Sequence, residues 1–135
     1  MSEYVADAHS IAWHLFAQER LGKAALRILD EAISGLHKIY LPAVALAEVI
    51  MVVEKKRLHR ATMQQLEIDL ALMMRSANYE FLPLWPHPVI DSRTLTVIPD
   101  IFDRLIVAEA VRLGLPLITH DTVITNSSVV PVIWN

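Results

Sequence analysis

The sequence predicts an α/β domain: a three-layer α/β/α sandwich around a mostly parallel, five-stranded sheet. Two observations predict it. Short apolar runs of four to six residues alternate with longer stretches of helical periodicity along the whole chain. Strands that alternate with helices in this way argue for a mostly parallel sheet covered on both faces. The length, 135 residues, suits one domain and a core that stands without cross-links, so residues 1–135 are expected to form a single unit.

Taken in order, "YVAD" (4–7) reads as the first strand and 10–20 and 23–34 as two helices. "KIYLP" (38–42) reads as the second strand, followed by a helix over 43–57. In 62–77, Met63, Leu66, Leu70, Met73, Met74 and Ala77 recur at helical spacing, with Ile68 and Leu72 off that stripe. Those two are expected to cover a second face of the core or a partner. "YEFLPL" (79–84) is the third strand. A short helix near 87–95 follows the Pro-rich "LWPHP", and a longer one spans 100–113, stopped by Gly114. "PLITHD" (116–121) is the fourth strand and its exit. "VVPVIW" (129–134) is the fifth, expected at an edge because Pro131 cannot donate to a ladder.

Composition narrows the function classes. With no cysteine, disulfides and thiolate metal sites are excluded. No apolar run approaches a membrane span, and the acidic start, with Glu3 and Asp7, does not resemble a signal peptide, so a cytoplasmic protein is expected. The apolar fraction, 54%, with a mean hydropathy of +0.39, is high for a small core and points to apolar surface that meets a partner. A net charge of −3 argues against simple electrostatic binding of nucleic acid. Two divalent ions held by acids would move it to +1.

Four of the 15 acidic residues stand out. Asp7 and Asp121 fall at the carboxyl ends of strands, where open α/β sheets place their sites. Asp103 sits in the first turn of the helix "IPDIFDRLIVAEAVRLG" (98–114). Glu48 lies inside "AVALAEVIMVV" (43–53), among Val44, Ala45, Met51 and Val52. A carboxylate there must protonate, pair or bind metal. Each also has a structural reading. Asp7 and Asp121 suit caps or turns, and Asp100 and Asp103 suit a helix start. Glu48 suits an ion pair with a buried cation. Their conjunction is what points to chemistry: four carboxylates packed together need cations. All-oxygen ligation suits Mg²⁺ or Mn²⁺, one or two per site, and such pairs clamp an in-line displacement at phosphorus. No two histidines are spaced to favour zinc.

Four blocks, "VADAHSIAWHL", "LPAVALAEV", "PDIFDRLIVAEA" and "LITHD", carry Asp7, Glu48, Asp103 and Asp121 in turn. In these blocks and their order the chain resembles the PIN-domain ribonucleases, particularly the VapC toxins of toxin–antitoxin pairs. The resemblance implies metal-dependent RNA hydrolysis with those four acids as catalytic metal ligands and no protein general base. It also implies a VapB-type antitoxin as partner and a homodimer. The departures are the Pro99–Asp100–Ile101–Phe102–Asp103 segment, where many relatives have Arg-Asp-Pro-Phe-Asp, and His120 before the fourth acid. Expected in supporting positions around the acids are His9, Asp100, Arg104, Thr119 and His120, with Arg104 paired to Asp100 or another site carboxylate. In "EKKRLHR" (54–60), Lys55, Lys56 and Arg57 are candidates to track RNA phosphates, although such a run also suits a solvated helix end. Trp13, Trp85 and Trp134 read as core or interface. The alternatives are a catalytically silent PIN-fold binding module, or a PIN nuclease acting in RNA processing or on DNA. A receiver-type signalling domain lacks its late lysine, since Lys56 is the last one.

Overall fold

The computed structural model describes residues 2–135. Five parallel strands form one sheet in the order β3-β2-β1-β4-β5. They are β1 (Ser2–Ala6), β2 (His37–Pro42), β3 (Tyr79–Leu82), β4 (Leu117–Ile118) and β5 (Val132–Ile133). The α-helices among the described residues are α1 (Ala8–Phe16), α2 (Lys23–Ile33), α3 (Ala43–Glu54), α4 (Met63–Arg75), α5 (Pro86–Ser92), α6 (Ile101–Leu113) and α7 (Thr122–Ser127). The chain builds the sheet outward from β1 to β3, then crosses back to lay β4 on the other side of β1. Right-handed crossovers send the connections before and after that reversal to opposite faces, which gives three layers. The reversal creates a crevice at the carboxyl ends of β1 and β4.

The sheet is the centre of the core. Val5, Ala6, Ile39, Leu41, Leu117 and Ile118 are all fully buried. That is why their sequences read as short apolar runs. β5 is an edge strand, as Pro131 requires.

The predicted elements are present with shifted ends: β1 starts two residues earlier, at Ser2, and α1 at Ala8, while several others stop short for identifiable reasons. The first predicted helix stops at Phe16, and a single 3-10 turn, Gln18–Arg20, follows. α3 stops at Glu54 because Lys56 takes a left-handed backbone, φ 53°. β3 stops at Leu82, before Pro83. α6 ends on Gly114, φ 67°, and Leu115 N–H donates back to the Ala110 carbonyl at 3.0 Å. On α4 the stripe holds at Leu66 and Met73, both buried, but Met74 is 71% exposed. Ile68 and Leu72 are exposed as well, so they do not cover a second face of this chain's own core. α7 is the one helix not anticipated, because "TVITNS" has β-branched residues and no clear helical period.

One close approach fixes the end of the sheet. A Cβ on Gly22 would lie 2.2 Å from the Trp134 carbonyl oxygen, and that oxygen accepts from Ala25 N–H at 3.1 Å in the first turn of α2. Gly22→Ala is therefore expected to destabilise the protein by about 2–4 kcal/mol, read as a lower urea midpoint. An unchanged midpoint would mean that the contact between Gly22 and Trp134 is not formed in solution.

Candidate functional site: an acidic crevice at the carboxyl edge of the sheet

A cavity of about 350 Å³ opens at the β1/β4 crevice, lined among others by Asp7, His9, Trp13, Glu48, Asp100, Asp103, His120 and Asp121. The four acids singled out in the sequence thus share one cavity with a fifth, Asp100. They arrive from different elements. Register places the first and last: Ala6 pairs with Ile118, and Asp7 N–H donates to the Ile118 carbonyl at 3.2 Å. This sets Asp7 beside Thr119. α3 starts directly after β2, so Glu48, in its second turn, stays near the carboxyl edge. α6 begins at the same edge and brings Asp100 and Asp103.

Asp7 is 8% exposed and both of its oxygens are engaged. Oδ1 accepts from Ser10 N–H at 3.0 Å and from Ser10 Oγ at 2.7 Å, while Oδ2 accepts from Thr119 Oγ1. Thr119, fully buried, also accepts from Asp121 N–H at 3.0 Å. It therefore ties the two strand-end acids together. Asp121 Oδ1 caps α7 by accepting from Ile124 N–H at 2.9 Å. Asp100 Oδ1 caps α6, accepting from Phe102 N–H at 2.7 Å. Capping and membership of the cavity therefore coexist in Asp7, Asp100 and Asp121. A cap at α6 or α7 uses one carboxylate oxygen and leaves the other.

Glu48 and Asp103 are different. Val44, Ala45 and Val52 around Glu48 are buried, although Met51 is 46% exposed, so that face of α3 is not wholly dry. Glu48 Oε1 is buried without a hydrogen-bond partner. Among the described residues no basic side chain pairs with it, contrary to the ion-pair reading. Burial first, and then the charges of Asp103, Asp100 and Asp7, push its pKa from the ordinary 4.5 to about 7. Burial, then Asp100, Asp121 and Asp7, push Asp103 from 3.8 to about 6.

Among the described residues, no three His, Asp or Glu side chains are gathered closely enough to hold an ion between them as they stand. The cavity and the spacing of its oxygens thus give different answers about a metal. The chemistry of the donors decides in favour of a fit. The cavity presents carboxylate oxygens, one of them buried and unpartnered, which suits a hard divalent cation. Mg²⁺ commonly takes only one or two carboxylates directly and keeps its waters.

The remaining candidates divide. His9 and His120 line the cavity, and His9 packs edge-on to Trp13, with ring centroids 5.6 Å apart. Arg104 makes no carboxylate pair; its Nε donates to the Ile98 carbonyl. Its side chain thus secures the turn before α6. Lys55, Lys56 and Arg57 are not in the cavity. They follow the last turn of α3, seven or more residues beyond Glu48, about 10 Å along the helix axis. Trp85 is 59% exposed, and Trp13 lines the acidic cavity instead of serving only as core. Sequence reasoning had no signal for Ser10 or Trp13, because their roles depend on which strand lies next to β1.

The sequence matches the PIN domain family over residues 4–127. No curated protein matches it. Solved structures match in fold along nearly the whole chain. VapBC2 from Rickettsia felis, bound to a DNA fragment from its promoter, is similar with TM-score 0.69 and 16% identity, covering 98% of this chain and 99% of that one. FitAcB from Neisseria gonorrhoeae gives TM-score 0.64 and 21% identity over 96% of each chain. VapC20 of Mycobacterium tuberculosis, a sarcin-ricin-loop-cleaving toxin, gives 0.64 and 14% identity over 93% and 95%. At such identities the likeness establishes the fold alone.

A pH dependence follows from Glu48 and Asp103. Both hold a proton more tightly folded than unfolded. The folded state therefore binds more protons between about pH 4 and 7, and stability falls as pH rises through that window. In metal-free buffer, Glu48→Gln is expected to stabilise the protein at pH 8 by about 1–2 kcal/mol, discounted because the site is half open to water, and to change little at pH 4. Urea titrations at the two pH values measure this. Equal midpoints for the variant and the native protein at pH 8 would refute the account of Glu48.

Proposed function

The chain belongs to the PIN-domain family, and on that premise we propose that it is a divalent-metal-dependent endoribonuclease acting as the toxin of a VapBC-type pair. The observation that carries this reading is the convergence of Asp7, Glu48, Asp103 and Asp121 in one crevice, with a buried Glu48 oxygen left unpartnered. A cation, a proton or a bound water satisfies such an oxygen, and among cations the hardness of the donors favours Mg²⁺ or Mn²⁺. Bound there, one or two ions would supply an activated water and stabilise charge on the leaving oxygen of a phosphodiester.

The chain's own residues do the positioning. Ser10 and Thr119 fix the Asp7 carboxylate from two sides, so it presents its charge without rotating. Asp121 is fixed by its own cap and by Thr119. Glu48 and Asp103, whose pKa values are raised, would hold a cation in their deprotonated form and direct their charge at the reacting centre in a partly dry site. Asp100 adds charge at the rim while it starts α6.

The partners follow from surface and family together. Exposed Ile68, Leu72 and Met74 on α4 suit a VapB-type antitoxin. Exposed Trp85, Ile90, Val97 and Phe102, around α5 and the start of α6, suit a second copy of this chain. The working place proposed is the cytoplasm; no helix among the described residues is long and apolar enough to cross a membrane. A catalytically silent binding module would have no need to bury an unpaired Glu48, which favours the enzyme.

Asp7→Asn and Asp103→Asn test the proposal. Asparagine caps as well as aspartate but loses the oxygen that accepts from Thr119, so Asp7→Asn should melt lower yet stay folded; Asp103 makes no side-chain hydrogen bond among the described residues, so Asp103→Asn should melt within a few degrees of the native protein. Cleavage of RNA in Mn²⁺ should drop at least about 100-fold in each. Native activity in both variants would rule the assignment out.

A further inference from the structure

A second cavity, of about 480 Å³, lies next to the acidic one, and His120 lines both. Its character is different. Thr122, Thr125 and Asn126 offer hydroxyls and a carboxamide, and His120 and Trp134 offer aromatic rings. Among the described residues, no Asp, Glu, Lys or Arg side chain lines it. It is therefore a poor seat for a phosphate, which needs cations.

The aromatic rings form a connected group. His120 and Trp134 stack, with centroids 4.8 Å apart and planes 23° from parallel. Trp13 packs against both, at 6.0 and 5.9 Å, and also lines the acidic cavity. The Arg20 guanidinium lies 5.8 Å from the Trp13 ring centroid. The group is held in place: the Trp134 carbonyl is bonded to Ala25 N–H, and Gly22 gives way to its backbone. An aromatic stack beside a cavity walled by hydroxyls and a carboxamide matches an unpaired nucleobase, which presents a π-face and a polar edge.

We propose that this cavity seats a base of single-stranded RNA next to the phosphate held at the acids. The base extends the His120–Trp134 stack, and Asn126 reads its edge. The inference rests on the nuclease reading for its substrate. It adds a base-selecting subsite, which makes the enzyme prefer a nucleotide at one fixed position from the cut.

The test measures binding of a fluorescent single-stranded RNA octamer in Ca²⁺, which neutralises the acids while its looser coordination disfavours hydrolysis, with a gel to verify that the octamer stays uncut, and of octamers with one abasic site at each position in turn. One abasic position should weaken binding to the native protein about 5–150-fold, the usual range for a stacked base. Trp134→Ala should bind the intact octamer that much more weakly and no longer sense that position. Trp134→Phe, which keeps a ring and guards against misfolding, should retain most of the sensitivity. Asn126→Ala should alter which base is preferred there without changing affinity for the abasic octamer. Equal abasic sensitivity in native protein and Trp134→Ala, or none at any position, overturns the subsite. Cleavage in Mn²⁺, run alongside, separates the two readings. A protein that cuts RNA but fails this test loses only the subsite. One that passes it without cutting keeps the subsite and loses the nuclease.

Discussion

The site depends on the pairing of β1 with β4. Two register pairs, Val5 with Leu117 and Ala6 with Ile118, are the whole of that ladder. Yet they set Asp7 against Thr119 and bring Asp121 to the same edge. Thr119 is the physical link, since its hydroxyl donates to Asp7 and accepts from the Asp121 backbone. Shifting this pairing by one residue would turn Thr119 to the other face of the sheet and separate the two acids. The rest of the crevice is added to this fixed pair.

Holding five carboxylates around one cavity opposes folding. Asp7, Asp100 and Asp121 offset their share by capping helices, where the positive helix end and free N–H groups receive them. Glu48 has no such compensation, and Asp103 has only the positive end of α6, with no hydrogen bond to its side chain among the described residues. Their raised pKa values measure the mismatch between this arrangement and water. The buried residues of β1, β2 and β4, Val5, Ala6, Ile39, Leu41, Leu117 and Ile118, supply the burial that tolerates it. The strain sits where a cation would relieve it, the usual mark of a site kept for chemistry rather than for stability.

In the reading proposed above, electrostatics explain how an acidic protein could meet RNA. Bound cations would offset the charge of the crevice, and the neighbouring cavity is walled by aromatic rings, hydroxyls and a carboxamide. Contact with the nucleic acid then relies on metal charge and stacking. The basic run after α3 stands away from the cavity and is not needed for either.

The sequence by itself determined the fold class, the order of the strands along the chain and the four acids. Each of these is local: short apolar runs alternating with helices mark buried parallel strands, and a charge inside "AVALAEVIMVV" is conspicuous without knowing its neighbours. It also placed β5 at an edge, through Pro131. What it could not fix was lateral. The order β3-β2-β1-β4-β5 decides that Thr119 touches Asp7, and 112 residues separate the two in the chain. Arg104 was expected on a carboxylate and is on the Ile98 carbonyl, because the turn before α6 folds back toward it. Lys55, Lys56 and Arg57 stood close to Glu48 in the chain, but the helix axis carries them away from the crevice. Trp13 and Trp134 read as core or interface, and only the packing of α1 and β5 about His120 placed them at the cavities. Periodicity and composition record a residue's own surroundings along the chain. Which distant residues meet depends on strand order and register, and these are decided by how the whole sheet buries its apolar faces.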